Sequence, residues 1–243
     1  MATVISKHAV TIELVIGYVL LAVCATTTWS LLLFSASYLV EVSVLYSIFV
    51  SILVKFMPDE CRTSGMGWAN RITILRAILS ISVCASVFHW ESLSASGYWW
   101  LISMTILAMT MDALDGWVAR HTHTESSFGA RLDMEIDAFL LLSLSLLVFL
   151  SGKVAFWIVF LGLIRYCFVI CGEIWPFLQK ELPVSWRRKI VCVIQGIALV
   201  ICLVPLTSES LAWRIGASSL GLLLSSFWID IRWLYKTGVL REI

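Results

Sequence analysis

The sequence predicts an all-α protein, a polytopic bundle of about eight transmembrane helices. Three observations predict it. Hydrophobic residues make up 60% of the chain, charged residues only 14%, and the mean hydropathy is +0.94; a soluble globule does not have this composition. The apolar residues fall into runs that approach or exceed the roughly 20 residues a helix needs to cross hydrocarbon. The basic residues collect at alternate ends of those runs, as the positive-inside rule requires.

Taken in order, the expected spans are 9–26, 31–55, 71–90, 97–120, 130–151, 154–174, 188–206 and 212–234. The first follows Lys7 and His8 without a small-residue cleavage site, so it reads as an uncleaved span. With the N-terminus in the cytoplasm, the inside segments carry Lys7, Lys55, Arg62, Arg71, Arg120, Arg131, Lys180, Arg187, Arg188, Lys189, Arg232, Lys236 and Arg241, against only Lys153 and Arg214 outside. An even number of spans follows, with both termini inside a cell (inner) membrane. Several of the twelve tryptophans lie near helix ends, where they suit the interface. The seven cysteines form no CxxC pair and read as small buried hydrophobes rather than disulfide or zinc groups. The net charge of +1 says little as a sum. The expected partner is the lipid bilayer; no nucleic acid is expected.

Four aspartates interrupt this pattern. Asp112 and Asp115 are three residues apart near the end of the fourth run, and Asp133 and Asp137 are four apart near the start of the fifth. Each pair projects from one helix face. A short polar connection, His121 to Phe128, joins the two helices. Two antiparallel neighbours would then turn their carboxylates toward one cavity open to the cytosol. Carboxylates in a bilayer persist when paired, metal-bound or facing a wet cavity. Converging carboxylates repel each other unless cations lie among them. Hard oxygen ligands favour Mg²⁺, Mn²⁺ or Ca²⁺ over zinc. The plain alternative is a solvated helix–loop–helix with ordinary charges, which the apolar flanks disfavour. Glu135 points off the shared face.

The pattern Asp112-x2-Asp115-Gly116-x2-Ala119-Arg120-x8-Gly129-x3-Asp133-x3-Asp137 resembles the signature of the CDP-alcohol phosphotransferases, also called CDP-alcohol phosphatidyltransferases. Asn70-x2-Thr73-x2-Arg76, opening the third run, looks like the start of that family's first core helix. The resemblance implies a six-helix catalytic core over residues 57–243, preceded by a two-helix extension over 1–56. It implies transfer of a phosphatidyl group from CDP-diacylglycerol to a small polar alcohol acceptor, with release of CMP, in phospholipid biosynthesis. It implies Asp112, Asp115, Asp133 and Asp137 as ligands of two ions, Mg²⁺ or Mn²⁺. Asp137 would also be the general base on the acceptor hydroxyl, unless it is only a fourth ligand. Asn70, Thr73, Arg76, Asp112, Gly116, Ala119, Arg120 and Gly129 would bind the CDP moiety. For Arg76 an internal aspartate partner is the alternative, and for Gly129 a plain loop or helix-start role. A homodimer is implied as well.

A phosphorylated acceptor is a dianion and demands fixed cations. Arg165 lies inside the apolar sixth run, and Arg187-Arg188-Lys189 opens the seventh, with Gln195 about two turns on. These resemble phosphatidylglycerophosphate synthase-type members, although the usual Lys-x-Lys-Thr before the glutamine is absent. The favoured acceptor is glycerol 3-phosphate; choline, serine or an inositol derivative are the alternatives. Topology alone could account for 187–189. A cation-coupled transporter is the reading from another class, opposed by the lack of an internal repeat.

Overall fold

A computed structural model describes residues 2–58, 67–122, 126–175, 178 and 185–239. The described residues contain eight α-helices and no strand. They are α1 (Ala2–Leu32), α2 (Ser37–Phe56), α3 (Gly67–Ala85), α4 (Ala95–Thr122), α5 (Ser127–Leu150), α6 (Phe160–Ile174), α7 (Trp186–Leu203) and α8 (Glu209–Val239). Each expected span corresponds to one of them. Their ends differ by a few residues because hydropathy marks what belongs in hydrocarbon, whereas a helix ends where its hydrogen bonds do. Two expected spans also contain 3₁₀ turns, Ser86–Ser92 after α3 and Phe156–Val159 before α6.

Among the described residues, four segments are long and apolar enough to cross a membrane: Val10–Leu32, Ser37–Phe56, Asn70–Ser92 and Phe156–Ile174. The protein is a membrane protein. The other four helices hold the residues that lower their hydropathy: the aspartates on α4 and α5, the basic start of α7, and Glu209, Arg214, Asp230 and Arg232 on α8.

The chain divides inside α5 into two compact units, Met1–Leu140 and Leu141–Ile243. In the first, α3 packs against α1, α2 and α4. Leu21, Ala25, Tyr38, Val42 and Tyr46 of the α1–α2 hairpin share one core with Ile74, Ile78 and Ile81 of α3. The hairpin turns at Leu33, whose φ of 53° is left-handed. At the far end of α3 the 3₁₀ turn kinks at His89. There His89 Nε2 meets Glu41 Oε2 at 2.9 Å and the ring stacks on Phe34. On α2 the hydroxyls of Ser43, Ser47 and Ser51 each donate at 2.7 Å to the carbonyl four residues back.

In the second unit α7 packs along α8. Arg187 Nη2 reaches Asp230 Oδ1 at 2.5 Å, and its Nη1 donates to the carbonyl and hydroxyl of Ser226. Lys153 Nζ donates to the carbonyls of Cys202 and Val204 at the end of α7, where a cation complements the helix dipole. Gly162 on α6 is buried against the backbone of Leu142, so a Cβ there would drive into main chain that cannot yield. Gly162→Val should therefore lower the melting temperature by several degrees in detergent, the overpacking costing about 1–3 kcal/mol. Circular dichroism against temperature checks this.

Candidate active site

The site is built on three helices of the first unit. Asp112 lies on α4, Asp133 and Asp137 lie four residues apart on α5, and Arg76 lies on α3. One carboxylate oxygen from each aspartate falls within 4.8 Å of the others. Arg76 is 1% exposed and sits among them. Its Nη1 pairs with Asp133 and, at 3.0 Å, with Asp112 Oδ1; its Nη2 pairs with Asp137. The three aspartate side chains are 28–34% exposed, so the cluster has a wet side and a guanidinium side. A charge at this depth needs such partners, and Arg76 finds its internal aspartates. The partly exposed donor set of hard oxygens fits a divalent metal ion.

The third-run residues follow the same geometry. Asn70 and Thr73 are buried and, with Arg76, recur at three-residue spacing along one face of α3. The start of α5 is set by Ser126, whose Oγ accepts a hydrogen bond at 2.9 Å from the backbone N–H of Gly129, an N-cap contact. A Cβ on Gly129 would fall 2.9 Å from Asn70 Oδ1. Gly129 is thus a first-turn residue and also the place where Asn70 approaches α5 closely. Gly116 lies on α4, one turn beyond Asp112. The side chains of Asp115, Ala119 and Arg120 lie outside the described residues. Glu135 is exposed and takes no part in the carboxylate cluster.

The acceptor candidates lie in the second unit. Arg165 is half-buried in the middle of α6, Arg188 is half-buried on α7, and Lys189 is exposed with its Nζ 5.8 Å from the Trp186 ring centroid. Arg187 is engaged by Asp230 and Ser226. Gln195 is 3% exposed, and its Nε2 has no hydrogen-bond partner among the described residues. Sequence reasoning passed over Asp230 and Glu13. Both are acids inside apolar helices, the signal that revealed the aspartate cluster, and both hold an arginine: Asp230 pairs with Arg187, Glu13 with Arg71.

A family model described as CDP-alcohol phosphatidyltransferase matches residues 66–228, well over half the chain. The chain belongs to the CDP-alcohol phosphatidyltransferase family. A Mycobacterium tuberculosis protein named as a probable phosphatidylglycerophosphate synthase is 25% identical over 163 residues, covering 65% of this chain and 77% of the relative. A Mycobacterium bovis protein that bears the name "Putative cardiolipin synthase" is 28% identical over 121 residues, 49% of this chain and 54% of the relative. No solved structure matches. As a CDP-alcohol phosphatidyltransferase, the protein moves a phosphatidyl group from CDP-diacylglycerol to an alcohol in phospholipid synthesis. The family's activity is group transfer rather than ion-coupled transport.

Arg76 supplies the positive charge that lets the three acids share one place. Arg76→Ala should leave them uncompensated and cost about 3–5 kcal/mol of stability. Melting in EDTA and then in Mg²⁺ should show a large deficit that the added ion partly repairs.

Proposed function

We propose that this phosphatidyltransferase uses glycerol 3-phosphate as its acceptor and makes phosphatidylglycerol phosphate on the cytoplasmic face of the cell (inner) membrane. The observation that carries the site assignment is the meeting of Asp112, Asp133 and Asp137 oxygens within 4.8 Å. Asp112, Asp115, Asp133 and Asp137 would hold two Mg²⁺ or Mn²⁺ ions. Those ions, when bound, would neutralise the diphosphate bridge and the departing CMP. Asn70 and Thr73, together with Gly116, Ala119, Arg120 and Gly129, would seat the CDP moiety, the small residues allowing close approach. Arg76 would exchange part of its carboxylate pairing for donor phosphate.

Asp137 would accept the proton of the acceptor hydroxyl as its oxygen attacks the phosphatidyl phosphorus. The phosphorus–oxygen bond to CMP breaks, and CMP leaves with the electron pair. The donor's acyl chains would stay in lipid. Arg165, Arg188 and Lys189 would offer the fixed cations that an acceptor phosphate needs. Arg187 would join them only by giving up Asp230. The resemblance of this basic cluster and Gln195 to phosphatidylglycerophosphate synthases, and the M. tuberculosis relative of that name, support this acceptor. The protein would work as a homodimer.

Purified protein given CDP-diacylglycerol and Mg²⁺ should release CMP with glycerol 3-phosphate. Release with choline, serine or an inositol derivative, and none with glycerol 3-phosphate, would replace the proposed acceptor. EDTA should abolish turnover, and Mg²⁺ or Mn²⁺ should restore it. Asp137→Asn should lower kcat by ~10²–10⁴-fold while CDP binding, followed by calorimetry, is largely kept.

A further inference from the structure

α3 has two working faces. Asn70, Thr73 and Arg76 lie on the first. Arg71, Ile74, Ile78 and Ser82 lie on a second, more than a third of a turn away at about 100° per residue. The α1–α2 hairpin covers the second face. Arg71 donates through Nε at 3.0 Å and Nη2 at 2.6 Å to Glu13 Oε1. Ile74 and Ile78 enter the hairpin's core. Tyr38 Oη donates to the Ser82 carbonyl at 3.2 Å. Tyr46 Oη occupies the space that a side chain on residue 17 would need, and Gly17 leaves it open.

The hairpin lies outside the family match, which begins at residue 66. Among the described residues it meets the second face of α3 with one ion pair, and that pair falls on the residue next to Asn70. The Glu13 side chain is 11% exposed, and Arg71 is a charged partner for this acid in an apolar helix. Apolar packing along a helix face tolerates small rotations; a guanidinium bound through two nitrogens to one oxygen has a narrower optimum.

We propose that Glu13 is a positioning residue of the active site. Through Arg71 it sets the rotation of the first turns of α3 and thereby the aim of Asn70 and Thr73 at the nucleotide. The inference rests on the assignment of Asn70 and Thr73 to CDP binding. A hairpin that merely anchors the chain would make the same contacts yet leave nucleotide affinity untouched.

The test uses full-length protein in nanodiscs, with CDP plus Mg²⁺ as the probe. Glu13→Gln keeps the side-chain shape and removes the charge. Arg71 is 44% exposed, so screening keeps the effect modest: a rise of ~3- to 10-fold in the Kd for CDP and the KM for CDP-diacylglycerol, with kcat within about twofold. The exchange Glu13→Arg with Arg71→Glu should recover most of the affinity that either single reversal loses. A Kd unchanged in Glu13→Gln, or an exchange that stays as weak as its parents, overturns the positioning role. Wild-type protein that binds no CDP would remove the nucleotide assignment, and the inference with it.

Discussion

One buried guanidinium organises the first unit of this protein. Arg76 is drawn from α3, and the acids it meets come from α4 and α5. Without a cation in that position, three carboxylates this close would push the helices apart or take up protons. With it, the helices converge on a point, and the carboxylates there stay partly exposed. The arrangement also explains why so hydrophilic a residue stands inside a span. Its partners, not the lipid, set its energy.

Around that point the chain shows a division of labour. The segment matching the phosphatidyltransferase family supplies every proposed ligand of metal and nucleotide. The preceding hairpin supplies none of them and packs on the side of α3 turned away from the acids. A catalytic helix in a membrane has lipid on its free faces, and lipid offers no specific contact to fix its rotation. A protein neighbour does. The hairpin's polar contacts, Glu13 with Arg71 and Tyr38 with Ser82, are of the kind that pick one setting among several that hydrocarbon would accept.

The helices were legible because the apolar runs match the thickness of hydrocarbon, and each of the eight runs corresponds to a helix among the described residues. Their ends were less so: residues 86–90 and 156–159 fall inside expected spans yet wind as 3₁₀ turns, since hydropathy does not see hydrogen-bond pattern. The convergence of Asp112 with Asp133 and Asp137 was legible from helical spacing and the cost of charge in lipid. Arg76 could be read either toward donor phosphate or toward an internal acid, because a pairing among three helices is not written in linear spacing. Glu13 and Asp230 carried the same signal as the cluster, but each stands alone in its run, and a lone acid shows no periodicity to catch the eye. The pairing of Arg187 with Asp230 crosses forty-three residues, a separation that local pattern cannot span.

The serines of α2 show what a hydropathy scale misses. Ser43, Ser47 and Ser51 lie along one stripe, and each spends its proton on its own backbone. A hydroxyl already satisfied within its helix asks nothing of the acyl chains beside it. To the bilayer this stripe is scarcely more polar than a row of alanines. The helix keeps a shallow, smooth side at almost no penalty for residing in oil.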